Sequence, residues 1–142
     1  MVKEKQLHKS SIAERAAEFI ILHDTEGLKL LKIDDIAEAL SKNKKWLALL
    51  FKIEQKISIP AFIKREKLHR AFYILEKDFS IPIPELSKIL GFASPGQFEK
   101  AFDDFFCILP EKYQALKKGF KNRTKKNAKS KKHKKILEPL RN

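Results

Sequence analysis

The chain has 142 residues, 43% of them hydrophobic and eleven of them Phe, and carries a formal charge of +13. That is enough apolar material for one domain, or for two small subdomains sharing a core, while four Gly and few β-branched alternations argue against an all-β fold. A single cysteine excludes an intramolecular disulfide, the first twenty residues lack the apolar stretch of a signal peptide, and apolar runs such as Phe19 to Leu22 are far too short to span a bilayer, so a cytoplasmic protein outside the membrane is expected.

A first helix is expected from about Ser11 to His23. Ser11 and Glu14 have capping-box spacing, and Ile12, Ala16, Phe19 and Ile20 line one apolar stripe. Asp24 to Gly27 breaks it. A second helix spans roughly Ile33 to Leu40, with Asp34 and Asp35 in its first turn, where the helix dipole favours negative charge. After the turn Ser41-Lys42-Asn43, a third helix runs from Lys44 to about Gln55, with Leu47, Leu50 and Phe51 at core spacing. Two helices joined by a short turn, with the small Ala37 near their crossing, form a helix-turn-helix pattern. One such pattern is a weak signal, because many helical hairpins share it.

Pro60, at a tolerated first-turn position, opens a long fourth helix that reaches about Lys77. Phe62, Ile63, Leu68, Ala71, Phe72 and Leu75 form its inner stripe, and Lys64, Arg65, Lys67 and Arg70 its outer face. The earlier pattern then returns. Pro84 to Leu90 is a short helix, Gly91-Phe92-Ala93-Ser94 a turn, and Pro95 to Phe106 a helix with Phe98, Ala101, Phe102 and Phe105 on one side. Pro110 begins a last helix containing Tyr113 and Leu116. The repeat is about 50 residues long and pairs Leu47, Leu50 and Phe51 with Phe98, Ala101 and Phe102. A repeated helix-turn-helix on one connecting helix is far more specific than a single one.

The expected fold is therefore all-α: two helix-turn-helix subdomains joined by a long linking helix, about seven helices in total, and a disordered basic C-terminal tail. The corresponding bounds are 1–58 for the N-terminal helix and first subdomain, 59–77 for the linking helix, 78–120 for the second subdomain and 121–142 for the tail. The charge is concentrated at that end. Lys117 to Lys135 holds ten Lys, one Arg and no acid, whereas residues 1–116 hold nineteen basic and seventeen acidic residues. Such a block reads as a solvated arm with an acidic partner, nucleic acid above all, held through counterion release. The plainer reading is a solubility tail, for which eleven charges are more than is needed.

The residues PELSKILGFASPGQFEKAFDDFFCILPEKY carry the most specific pattern, with Leu90-Gly91-Phe92, Ser94, Phe98, Ala101-Phe102, Phe105-Phe106, Pro110 and Tyr113 in register. They resemble the DNA-binding domain of the AraC/XylS family of bacterial transcription regulators. The first half is similar through Ile36-Ala37, Leu40, Leu47, Leu50-Phe51, Glu54, Ser58 and Leu68 to Ala71. The resemblance covers about residues 10–118 and is closest to the short stand-alone, MarA-like members. It implies two helix-turn-helix units on a rigid linking helix, bound as a monomer to adjacent major-groove segments of double-stranded DNA.

In such units the second helix enters the major groove, and residues near its N-terminus meet base edges. On the helix from Pro95 the outward positions are Gly96, Gln97, Lys100, Asp103 and Asp104. The Gln97 amide can bond adenine in a bidentate way, and Lys100 can take a guanine edge or a phosphate; Ser94 and Lys112 complete this set. On the helix from Lys44 the outward face is Lys45, Ala48, Leu49 and Lys52, flanked by Trp46 and Ile53. Family members usually place Arg at Leu49. Here Ala48 and Leu49 can touch thymine methyls, while Lys44, Lys45 and Lys52 serve phosphates. In the tail, Lys121, Arg123, Lys125, Lys126, Lys131 and Lys132 are the expected phosphate contacts.

Several positions depart from the family. Lys32 and Pro82 stand where a capping Ser or Thr is usual, Cys107 replaces a common Gly, and Asp103 and Asp104 replace Lys or Arg. Cys107 reads as a small structural residue, with a redox-sensing thiol as the sharper alternative. His8, His23, His69 and His133 are scattered without metal-ligand spacing, and no Gly-rich phosphate loop occurs. No enzyme activity, cofactor or metal is expected. Two competing readings stay open: a non-specific basic nucleic-acid binder, and a family member that binds another protein, RNA polymerase for instance, through Trp46, Leu49 and Ile53. The cluster Lys131-Lys132-His133-Lys134-Lys135 also resembles a nuclear-import signal, but the family resemblance points to the bacterial nucleoid.

Overall fold

The computed structural model describes the backbone of residues 10–129 and the side chains of residues 10–123. Among these residues the protein is wholly helical: α1 Ile12–Ile21, α2 Thr25–Leu30, α3 Ile33–Ala39, α4 Lys44–Gln55, α5 Ile59–Lys77, α6 Ile83–Ile89, α7 Pro95–Phe106 and α8 Pro110–Lys129. The first cap is the one expected: the Ser11 hydroxyl accepts the Glu14 N–H at 3.1 Å, and the Glu14 carboxylate accepts the Ser11 N–H at 3.0 Å.

One element is additional. The stretch from Asp24 reads in sequence as a break, yet it starts α2. The Asp24 carboxylate accepts the Gly27 N–H at 2.7 Å, so the apparent breaker is an N-cap. His23 turns back as well, with Nδ1 2.7 Å from the Phe19 carbonyl, and α1 ends at Ile21 instead of His23. Leu28 of α2 is fully buried in the first core. Among the described residues eight helices therefore stand where about seven were expected.

The linking helix divides its apolar face between two cores. Ile59, Phe62 and Ile63 close a cluster with Ala13, Ala16, Ile20, Leu28, Ile36, Leu47 and Phe51. Leu68, Ala71 and Leu75 close a second with Ile83, Leu86, Leu90, Phe98, Ala101 and Phe102. Each large side chain removed from water contributes about 1.5–3 kcal/mol before its ordering entropy is charged against it. Both cores are aromatic at the joint: Phe51 meets Phe62 edge-on at 5.4 Å, and Phe72 stacks on Phe106 at 5.2 Å. A 19-residue α5 is about 28 Å long, and each unit packs on its own part of that length.

The last helix is anchored on the α5–α6 connection. The Tyr113 hydroxyl donates to the Glu76 carboxylate, Lys117 pairs with Glu76 at 3.1 Å, and the Gln114 amide donates to the Ile81 carbonyl at 2.5 Å. Helix α8 then continues to Lys129. Residues 121–129, placed by the sequence in a disordered arm, are thus helical. Lys, Arg and Ala are good helix formers and the anchored turns supply the nucleus, so the helix propagates through them. Residues 130–142 of the expected tail lie outside the described residues.

Candidate nucleic-acid interface

The first helices of the two helix-turn-helix units end in the same hydrogen-bond pattern. Helix α3 ends with the Lys42 N–H donating to the Ala37 carbonyl at 2.8 Å and the Ser41 N–H to Glu38 at 3.1 Å. Helix α6 ends with the Phe92 N–H donating to Ser87 at 3.0 Å and the Gly91 N–H to Lys88 at 3.0 Å. Both pairs form a Schellman motif, which requires a left-handed residue. Ser41, with φ 56°, and Gly91, with φ 81°, fill that position.

The N-cap of the second helix follows. Asn43 accepts the Trp46 N–H at 3.0 Å, and Ser94 accepts the Gln97 N–H at 3.2 Å. The left-handed residues are 50 positions apart and the caps 51, so the second turn is one residue longer. Both 12-residue helices close on another left-handed residue, Lys56 at φ 65° and Cys107 at φ 63°. The backbone thus repeats even where the side chains do not. Cys107 occupies a left-handed end, as its place in the pattern suggested, and its side chain is exposed.

Lys32 and Pro82 give no side-chain cap to α3 and α6. At Lys32 the deficit is partly offset, because the Asp35 carboxylate accepts the Lys32 N–H at 2.9 Å.

On α7, Gly96, Gln97, Lys100, Asp103 and Asp104 are all exposed and share the outward face. Ser94 is half-buried, its oxygen occupied by the cap and its hydroxyl proton available to donate. Lys100 reaches Asp104 at 3.4 Å. The interacting pair is i, i+4 on a fully solvated face, worth only a few tenths of a kcal/mol.

On α4, Lys44, Lys45, Leu49 and Lys52 are exposed and Ala48 is half-buried. Lys44 pairs with Asp34 of α3 at 2.9 Å. Trp46, Leu49 and Ile53 remain 45%, 61% and 57% exposed. At spacings of three and four residues they make an apolar stripe down the outward face. The Lys42 ammonium sits 5.7 Å from the Trp46 ring and adds a cation that the sequence reading missed. Asn43 was missed as a cap too, although an Asn immediately before a periodic apolar run is the signal for one.

Lys112 and Lys121 are exposed on α8, Lys121 lying 5.5 Å from the Phe79 ring. Arg123 is exposed, with its guanidinium 6.0 Å from the Phe120 ring. Lys125 and Lys126 lie on the described backbone of α8, and Lys131 and Lys132 lie outside the described residues. At the joint, burial pulls the Lys67 pKa below the ordinary lysine value, and its ammonium lies 5.8 Å from the Phe92 ring. His69 is exposed and meets Phe105 edge-on at 5.3 Å.

This architecture has solved counterparts. The C-terminal domain of AraT, a response regulator from Geobacillus stearothermophilus, superposes with a TM-score of 0.65 at 24% identity, covering 77% of this chain and 88% of that one. The xylose-binding transcription activator XylR matches with a TM-score of 0.59 at 25% identity, over 77% of this chain and 28% of that one. In sequence, the Msm operon regulatory protein of Streptococcus mutans is 31% identical over 94 residues, which are 66% of this chain. The chain has the double helix-turn-helix fold of AraC/XylS-type domains. It spans about a third of the length of the curated relative it matches (33%). No protein-family model matches it. No described helix is long and apolar enough to cross a membrane.

Proposed function

We propose that this AraC/XylS-type chain is a sequence-specific DNA-binding transcription regulator that places α4 and α7 in adjacent major-groove segments. The observation that carries the reading is the pair of matched turns: two capped helices, each presenting an exposed N-terminal face, held on one linking helix. An α-helix fits the major groove, and base contacts concentrate at its N-terminal end. Gln97 and Lys100 read bases from α7, with Ser94 and Gly96 at the backbone approach. Ala48 and Leu49 contact bases from α4, with Lys44, Lys45 and Lys52 on phosphates. Lys112 and the basic residues of α8 and beyond add phosphate contacts, which raise affinity without carrying sequence information.

Selection of bound duplexes from a random pool, read at two salt concentrations, tests this. The expected result is a site of about 20 base pairs whose consensus changes in one half with Gln97→Ala. A mutant that weakens every sequence alike would remove the direct-reading role of Gln97. Deleting residues 121–142 lowers affinity and the salt slope while the consensus survives. Loss of all preference with that deletion would favour the non-specific reading. The exposed Trp46, Leu49 and Ile53 stripe supports a second reading, a protein contact made through α4. Capture of a protein partner that is lost in Leu49→Asp, together with no retention of any duplex at low salt, would establish it.

A further inference from the structure

We infer that the contact between Lys29 of α2 and Gly91 in the second turn is a fixed spacer between the two helix-turn-helix units, so that it selects the separation of their half-sites. Its effect on half-sites rests on the function proposed above, whereas its effect on the geometry of the units does not.

A Cβ built at Gly91 would lie 2.7 Å from Lys29 Cγ, 3.2 Å from the Lys29 carbonyl oxygen and 3.3 Å from Lys29 Cα. Backbone of the first unit therefore touches backbone of the second. The left-handed turn by itself strains a side chain at φ 81°, although Ser41 fills the equivalent position of the first unit at φ 56°. The approach of Lys29 adds a steric bar to that strain. The element that makes this approach is α2, which has no equivalent in the second unit and is fastened to the first core by Leu28.

Two more ties lie on the same side of the linking helix. Arg70 Nη2 donates to the Ile21 carbonyl at the end of α1 at 2.9 Å, and its Nε bonds Glu66 at 3.1 Å. Lys67 lies over Phe92, the residue after Gly91. At 100° per residue, Arg70 stands opposite Ala61, Arg65 and Leu68 on α5, with Lys67 about 60° from Arg70. On that opposite side the units do not close. Ile57 and Ala61 face Ala101 and Phe105 across an open groove that Leu68 of the second core also lines. The units thus meet on one side and stand apart on the other. Pushing the contact apart rotates them about α5 into the groove, and this moves α7 relative to α4.

Each inserted base pair turns one half-site relative to the other by about a tenth of a helical turn, so a rigid pair of readers must prefer one spacing. With spin labels on the native, exposed Cys107 and on the variant Lys56→Cys, double electron–electron resonance should give one narrow distance distribution. Gly91→Ser, which copies the residue at the equivalent turn, should shift or broaden it, and adding Lys29→Ala should move it back toward the parent. On duplexes with the selected half-sites set one base pair closer or farther, the parent should lose about tenfold or more in affinity. In Gly91→Ser that penalty should fall to roughly threefold or less, or its optimum should move by a base pair. If Gly91→Ser does not fold, Arg70→Gln removes a tie on the same side without touching the turn, and the same broadening is expected. An unchanged distance distribution in a folded variant overturns the spacer, as does a parent that binds duplex without a spacing preference. A parent that binds no duplex, with a distribution that still responds to Gly91→Ser, fails the proposed function and leaves the spacer standing.

Discussion

Lys56 and Cys107 end α4 and α7 in the left-handed region, where an L side chain costs about 1–2 kcal/mol and glycine almost nothing. Glycine gives back about 0.5–1 kcal/mol through the entropy of the unfolded chain. Lys56→Gly and Cys107→Gly should each therefore stabilise the protein by about 0.5 kcal/mol, read as a Tm rise of about 1–3 °C. A fall in Tm in either variant would show that the replaced side chain makes a contact worth more than the strain. At this scale much was legible. The Ser11–Glu14 box and the uncapped starts at Lys32 and Pro82 follow from residue type alone. Asp24 was read wrongly, because an Asp three residues after a helix end and three before a Gly serves equally as a stop and as a start. The two readings differ only in whether Leu28 finds a core, and that is decided by tertiary packing.

Helix α7 carries Asp103 and Asp104 in its last turn, where the helix dipole already disfavours negative charge. Asp104 holds the Lys100 ammonium at 3.4 Å. In the proposed complex both carboxylates would oppose docking, one by repulsion from phosphate and one by also engaging Lys100. The double variant Asp103→Lys, Asp104→Lys should tighten duplex binding and steepen the salt dependence by about one unit for each new phosphate contact. It should leave the consensus unchanged, because these residues lie seven or eight positions from Gly96, about 10–12 Å along the axis, away from the base-reading end. Unchanged affinity at low salt would mean that this end of α7 points away from the duplex. The extents of α4, α5 and α7 were legible because each combines a period-3.6 stripe with a terminal signal. The reach of α8 was not. A run of Lys with one Arg reads as a solvated arm by charge and as a helix by propensity, and the anchoring of Tyr113, Gln114 and Lys117 on the α5–α6 connection is a long-range contact that no local pattern contains.

The molecule repeats its backbone and diverges in what the two repeats offer. The repeat itself was legible from paired apolar positions, whereas the mutual placement of the units was not, since it depends on α2 and on the approach of Lys29 to Gly91. Outward, the first unit presents Trp46, Leu49 and Ile53, and the second presents Gln97, Lys100 and two aspartates. A Leu side chain in the major groove can distinguish bases only through the thymine C5-methyl, whereas an amide reads donors and acceptors. Replacing thymine by deoxyuridine deletes that methyl and keeps every hydrogen bond. In the half-site bound by α4, the replacement should weaken binding about fourfold for each contacted methyl, the equivalent of about 0.8 kcal/mol of apolar burial. In the half-site bound by α7, changes should stay within about twofold. Leu49→Ala should reduce the sensitivity of the first half-site to deoxyuridine, the remainder coming from Ala48, and leave the second half-site untouched. Equal sensitivity in both half-sites, or none in either, would show that the apolar face of α4 does not meet the groove, and would direct that face to a protein surface instead.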